Sequence, residues 1–332
     1  MNKSNFLYLS SSEVHSVLED DYQLVLDSVE DSIKMMNEGT TIQPDKNSQI
    51  FDTTYQNRIN CMSATLRKTD TCGMKWVSVF PENKKKGIEN VEGFVLLSEI
   101  NTGKLKCAMN ATELTSLRTA GVGAVAAKYL AKKNSETIGF IGAGEEAKAH
   151  FKLIKFINKN IKRCFVSSRT CNSVKQFIDE FQKKYPDVVF VDCGNNFENA
   201  VKSADIIVTA ISSQEQVLKA KWIKEGALYI HVAGIEDEYA VAKKASKIVC
   251  DCWECVKHRS QTIVQMYKDG ELTDNDIYAD IAKIITGEKA GRESDAEFIY
   301  FNSVGLAVED ILFANRIYER AIKLGAGQWI EK

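Results

Sequence analysis

The sequence predicts an α/β protein built on a doubly wound parallel sheet, with a second, α+β domain on its amino-terminal side. Three observations predict it. Strand and helix patterns alternate from residue 116 onward over about 170 residues. A glycine-rich turn joins a strand to a helix at 142–147, and two alternating apolar runs flank a turn before residue 115.

In chain order, GFVLLSEINTGKLKCAMN (93–110) reads as a hairpin around Asn101, Thr102 and Gly103. SLRTAGVGAVAAKYLAKK (116–133) carries small and apolar residues at helical spacing, and TIGFIG (137–142) is a buried strand. A helix follows over 145–159, a strand over RCFVSS (163–168) and a helix over SVKQFIDEFQKKY (173–185). Strands are expected at VVFVD (188–192), DIIVTAI (205–211), ALYIHVAG (227–234) and KIVCD (247–251), with a helix at NFENAVKSA (196–204). The helical tail, from about 300 with GLAVEDILFANRIYERAIKLG, leaves the sheet and returns to the first domain. The expected limits are 1–115, completed by 303–332, and 116–302.

At 332 residues and 44% hydrophobic content the chain is long enough for two cores. Its 43 basic and 45 acidic residues intermix to a net charge of −2, which argues against a nucleic-acid partner. No apolar run approaches the roughly 20 residues that span a bilayer, and the amino terminus lacks a signal core, so the expectation is a cytoplasmic protein without membrane contact. Nine cysteines in that setting are expected as thiols. Cys250, Cys252 and Cys255 form C-x-C-x-x-C, but His258 is a poor fourth ligand and no second cluster completes a tetrahedron, so no metal is expected.

Gly142, Gly144 and Ala147 form G-x-G-x-x-A between strand and helix, the context in which that pattern carries meaning. Gly142 permits the tight turn, Gly144 lets backbone approach a pyrophosphate, and the helix start offers N–H groups to the anion. The turn therefore predicts a Rossmann dinucleotide-binding domain, against the alternative of an ordinary packed turn. The next strand ends in Ser167, Ser168, Arg169 and Thr170 rather than in the acidic residue that holds the NAD ribose. A guanidinium among hydroxyls suits a 2′-phosphate and favours NADP, unless Arg169 is a solvated loop charge.

These residues carry a resemblance. Arg58, Gly73-Met74-Lys75-Trp76, Thr115-Ser116-Leu117-Arg118-Thr119-Ala120, Gly142-Ala143-Gly144, Ile285-Thr286-Gly287, Gly291-Arg292 and Ser303-Val304-Gly305-Leu306-Ala307-Val308-Glu309-Asp310 run in order along nearly the whole chain. In this the sequence is similar to the ornithine cyclodeaminase/mu-crystallin family. The resemblance implies a homodimer, with the first domain supplying the dimer sheet and one wall of an active site and the Rossmann domain the other. It implies an amino-acid substrate whose α-carboxylate is gripped by Arg58, Lys75 and Arg118, chemistry to which cationic side chains are suited. The expected coenzyme site comprises Thr119, Gly142, Ala143, Gly144, Glu145, Ser168, Arg169, Thr170, Ala210 and Ser212.

Within the family, cyclodeaminases carry a catalytic Asp where this chain has Ile235. An isoleucine moves no proton, which argues against ornithine cyclisation. Glu236 and Asp237 stand as neighbouring acid/base candidates, against the alternative of a charged loop at the site's mouth. The stretch VCDCWECVKHRSQTIVQMYKDGEL (249–272) and AGRESDAEFIYFN (290–302) resemble the branch that oxidises N-(2-amino-2-carboxyethyl)-L-glutamate with NAD, giving 2,3-diaminopropionate and 2-oxoglutarate. The expected activity is accordingly an NAD(P)-dependent oxidation at a C–N bond, with Lys75 or an ordered water as base. The alternatives are an ornithine cyclodeaminase, an NADPH-dependent ketimine reductase, and a nucleotide-binding protein without turnover.

Overall fold

The computed structural model describes residues 5–52, 54, 56–211 and 214–331. The chain divides into two compact units, residues 1–118 with 306–332, and residues 119–305. The expected limits at 115 and 302 each fall three residues before these divisions at 118 and 305.

Unit 1 begins with β1 (Asn5–Leu9), α1 (Ser11–Leu18) and α2 (Tyr22–Asn37). Strands β2 (Thr41–Ile42), β3 (Asn47–Asp52), β4 (Asn57–Leu66), β5 (Thr71–Val79), β6 (Val91–Glu99) and β7 (Leu105–Asn110) follow. Helix α3 (Thr112–Leu130) carries the chain into unit 2. There β8 (Thr137–Ile141), α4 (Glu145–Ile157), β9 (Arg163–Ser167), α5 (Cys171–Phe181), β10 (Val189–Asp192), α6 (Phe197–Val201) and β11 (Ile206–Thr209) alternate. The unit continues through β12 (Leu228–His231), α7 (Tyr239–Lys244), β13 (Lys247–Cys250), α8 (Trp253–Val256) and α9 (Thr262–Lys268). It ends with β14 (Ile277–Asp280), α10 (Ile281–Ile285) and β15 (Ile299–Asn302). Helix α11 (Ala307–Leu324) and β16 (Gln328–Glu331) return to unit 1.

In unit 1 the strands form a sheet in the order β16-β1-β7-β6-β5-β4-β2, with β3 also on β4. Alternation gives it two unlike faces. Met62, Ala64 and Leu66 of β4, Lys75 and Val77 of β5, and Val95 and Leu97 of β6 are buried, on the side covered by α11, which itself packs against α2. Trp76, Phe94 and Leu96, which alternate with them, are 40%, 39% and 39% exposed. Strand pairing sets Trp76 beside Phe94 and Met74 beside Leu96. A depression of about 350 Å³ lined by Ile42, Pro44, Met74, Leu96 and Leu105 opens on this unit.

Unit 2 is the expected doubly wound sheet, in the order β10-β9-β8-β11-β12-β15-β13-β14, with all neighbours parallel. Its central strands β8, β11, β12 and β15 are buried on both faces and accordingly read as mainly apolar runs. Because β9 and β11 flank β8 on opposite sides, the chain reverses its direction of progress at β8, and a crevice at the carboxyl ends of β8 and β11 follows from that topology. Strand β15 corrects the expected tail: Ile299–Asn302 does not leave the sheet but pairs between β12 and β13.

Candidate functional site

The glycine turn is built by β8 and α4. Gly142 has φ +111, and a Cβ there would sit 2.3 Å from the Ala210 carbonyl oxygen, so only glycine fits. Gly144 caps α4 in extended conformation and brings no side-chain cap hydrogen bond. Among the described residues no atom beyond its chain neighbours lies within 4 Å of its would-be Cβ. A bare backbone thus faces open space at a helix amino terminus, whose first-turn N–H groups lack partners within the helix, and this fits a pyrophosphate.

Ala143 is buried and Glu145 exposed beside the turn. Glu145 pairs with Lys148 at 3.1 Å, which offsets its charge near an anion. Ala210 donates its N–H to Ile141 at 2.9 Å, so the ends of β8 and β11 are locked together. Ser167 accepts the Gly142 N–H at 2.9 Å and brings the Ser168–Thr170 turn alongside. Ser168 is half-buried, while Arg169 and Thr170 are exposed, and Thr170 bonds the Ser173 hydroxyl. Thr119 is half-buried on α3. Ser212 lies outside the described residues. The structure therefore gathers nearly all the described coenzyme candidates at one edge of one sheet, with Thr119 placed on a separate helix.

The cationic candidates belong to unit 1. Lys75 is fully buried on β5 and donates to Asp310 Oδ1 at 2.5 Å. The Nε of Arg118 donates to the same oxygen at 2.7 Å, and its Nη1 to Glu309 Oε2 at 3.3 Å. Both carboxylates lie in the first turn of α11, where the helix dipole favours negative charge. The sequence reading missed Glu309 and Asp310 as partners. Two adjacent acids opening an apolar helix were the available signal, since charges buried there must be paired.

Burial lowers the Lys75 pKa to about 8, with the neighbouring Arg118 charge acting in the same direction and Asp310 opposing both. A lysine so placed exchanges a proton near neutral pH. Asp310 takes one of its three N–H donors, and Asp310 Oδ2 is a buried acceptor without a hydrogen-bond partner among the described residues. Arg58 makes no hydrogen bond to this cluster among the described residues. It faces the same side of the sheet as Lys75 but lies four residues along β4 from Met62, the cross-strand neighbour of Lys75, about 13 Å away along the strand. Its Nη1 instead donates to the Gln56 carbonyl at 2.9 Å.

Glu236 and Asp237 are fully buried, which corrects the alternative of a wet charged loop. The Ile211 N–H donates to Glu236 Oε1 at 3.2 Å, and the Thr209 hydroxyl bonds its other oxygen. Asp237 Oδ1 accepts the hydroxyls of Tyr229 at 3.3 Å and Tyr300 at 3.2 Å. Burial raises Glu236 to about 8 and Asp237 to about 7. Burial also lowers His231 to about 4, so its Nε2 contacts of 3.8 and 3.6 Å to these acids are not ion pairs with a charged imidazole. Glu236 thus braces residues 209–211, the segment behind Gly142.

A stability prediction follows. From pH 4.5 to about 8 the unfolded chain releases the Glu236 proton while the fold retains it, so stability falls as pH rises through this window. His231 acts oppositely, but only between about 4 and 6.5. Glu236→Gln keeps a neutral group at all pH, and melting curves from pH 6.5 to 8.5 are expected to fall less for the variant than for the parent. Parallel curves would contradict the buried proton.

Among the described residues no group of three His, Cys, Asp or Glu side chains could hold a metal ion. No helix is long and apolar enough to cross a membrane, also among the described residues.

The profile of the ornithine cyclodeaminase/mu-crystallin family matches residues 7–324. A Delta(1)-pyrroline-2-carboxylate reductase of Bacillus cereus is 33% identical over 309 residues, covering 90% of this chain and 92% of that protein. An N-((2S)-2-amino-2-carboxyethyl)-L-glutamate dehydrogenase of Staphylococcus aureus is 27% identical over 337 residues, covering 98% of each. The solved structure of the Thermococcus litoralis Delta(1)-pyrroline-2-carboxylate reductase with NADH and L-proline superposes with a TM-score of 0.92 at 31% identity, covering 97% of this chain and 99% of that one. With the Rossmann sheet and its glycine turn, these matches establish that the chain belongs to the ornithine cyclodeaminase/mu-crystallin family.

Proposed function

We propose that the chain is an NAD(P)-dependent oxidoreductase of the C–N bond in an α-amino or α-imino acid, working on a cyclic imine such as Δ1-pyrroline-2-carboxylate. The observation that carries this is the buried Lys75, paired with Asp310 beside Arg118, in a chain whose turn suits a dinucleotide. The reductases of Bacillus cereus and Thermococcus litoralis, both above 30% identity, support imine reduction over the amine cleavage expected from the sequence.

A nicotinamide coenzyme held at the Gly142–Gly144 turn would supply or accept the hydride exchanged at the substrate's α-carbon. Arg118 and Lys75 provide the positive charge that binds and orients the carboxylate. Asp310 holds both cations in place, and its unpartnered Oδ2 is an acceptor for a substrate N–H. In the reducing direction protonated Lys75 gives the imine nitrogen its proton; in reverse, neutral Lys75 takes it. Glu236 and Asp237 position the 209–211 segment rather than exchange protons with substrate. Arg169, exposed beside the turn, supports NADP, whereas the Thermococcus litoralis structure holds NADH. The exposed Trp76, Phe94 and Leu96 face, apolar and otherwise wet, is the surface of a homodimer.

The second proposal, oxidative cleavage of N-(2-amino-2-carboxyethyl)-L-glutamate, is supported by the Staphylococcus aureus relative, which matches over 98% of each chain. One panel separates them: Δ1-pyrroline-2-carboxylate, that glutamate derivative, ornithine and alanine, each with NAD(H) and NADP(H), followed by coenzyme absorbance. Coenzyme oxidation with the cyclic imine is expected. Release of 2-oxoglutarate from the glutamate derivative without imine reduction would transfer the assignment. Coenzyme binding without turnover on any member would leave a nucleotide-binding protein.

A further inference from the structure

The C-x-C-x-x-C run divides into one inert thiol and one close pair. Cys250 is fully buried at the end of β13, and burial pushes its thiol well above its ordinary range. Cys252 and Cys255 are half-buried at the start of α8, with their Sγ atoms 2.6 Å apart. The Cys252 sulfur also accepts the Cys255 N–H at 3.4 Å, so backbone and side chain both hold the pair together.

Neighbouring bonds fix this segment on each side. Asp251 Oδ1 accepts the Cys252 N–H at 2.8 Å, while its Oδ2 accepts the N–H groups of Val304 at 2.7 Å and Gly305 at 2.9 Å. The Trp253 N–H donates to Asp280 at 2.7 Å, and its indole N–H to Asp274 at 2.8 Å. The two sulfurs therefore meet because a braced turn presents them. No third His, Cys, Asp or Glu side chain joins them in a metal-holding group among the described residues.

We propose that Cys252 and Cys255 are a reversible dithiol–disulfide site that a small disulfide such as oxidised glutathione closes. The Cys255 thiolate attacks one sulfur of the small disulfide, forms a mixed disulfide and releases one thiol. The Cys252 thiolate then attacks the Cys255 sulfur, forms the internal bond and releases the second thiol. Two cysteine thiols lose two electrons and two protons, and the small disulfide gains them as two thiols. Cys255 attacks first because the hydrogen bond from Cys252 stabilises its thiolate and lowers its pKa, against the opposing effect of burial. Closure staples the turn that carries Asp251, and so the residue that organises 303–305.

The test uses the full chain, incubated with oxidised glutathione at pH 8, quenched with acid, labelled with N-ethylmaleimide and mapped by mass spectrometry. The expected result is a peptide containing both cysteines, unlabelled, about 2 Da lighter than its reduced form. Dithiothreitol restores both labels. Cys252→Ser is expected to hold glutathione on Cys255 as a lasting mixed disulfide, because the resolving sulfur is gone. The proposal is overturned if both cysteines stay fully labelled while the exposed Cys171 is modified, or if the unaltered chain retains glutathione on either sulfur without forming the internal bond. Mapping of the unaltered chain decides the matter even if the serine variant fails to fold.

Discussion

Lys75→Met lowers kcat/KM by a factor on the order of 10²–10⁴, the range of a lost proton-transfer group, while coenzyme affinity stays as in the parent chain. Methionine has a similar length and no charge, so the strand face remains filled. Asp310 keeps Arg118 at 2.7 Å, so no buried carboxylate is stranded and the fold survives. Asp310→Ala behaves differently. It strips a shared partner from two cations, and breaking a buried pair in this way costs about 3–5 kcal/mol of stability.

The pH dependence fixes the role. With Lys75 near pH 8, amine oxidation needs its neutral form and kcat/KM rises with pH through that region. Imine reduction needs the ammonium and falls through the same region. Steady-state profiles in both directions check this, with melting temperature as the control for folding. Full activity in Lys75→Met, or a profile of Lys75→Arg that matches the parent, would remove Lys75 as the proton carrier.

Gly144→Val is expected to leave the fold intact and to weaken coenzyme binding by about 10²-fold or more. The backbone at Gly144 is extended, and no atom of the described residues beyond its chain neighbours lies within 4 Å of the added Cβ, so the branch point of the valine is accommodated. It does occupy the space through which a pyrophosphate reaches the N–H groups of α4. Hydrogen bonds to charged groups are worth about 1.5–3 kcal/mol each, so losing one or two gives the stated effect. Gly142→Ala makes the contrast: its Cβ would strike the Ala210 carbonyl, and the fold itself should suffer. Coenzyme fluorescence titration beside thermal melting separates the cases. Parental affinity in Gly144→Val would place the dinucleotide elsewhere.

The coenzyme edge was legible in the sequence because its signal is local: a buried strand, two glycines and a helix within one short stretch. The cation cluster was legible only in part. Lys75 sits in an alternating strand where a lysine normally points to water, and its partner Asp310 is 235 residues away. Glu236 and Asp237 resembled a wet loop because their burial comes from Thr209 and Tyr300, 27 and 63 residues distant. The strand Ile299–Asn302 was lost for a similar reason. A four-residue apolar run next to a long amphipathic helix gives no periodicity of its own, and its place between β12 and β13 is set by partners far away in sequence.

Direct hydride transfer to the α-carbon of a carboxylate-bearing imine is the central claim, and isotope transfer tests it most directly. Reduction of Δ1-pyrroline-2-carboxylate in ordinary water with coenzyme stereospecifically deuterated at C4, each face in turn, is followed by mass spectrometry of the product. One deuterium at the α-carbon of proline, from one face only, is the expected result. Proline formed without deuterium from either face, or no coenzyme consumed with this or any related imino acid, would contradict it.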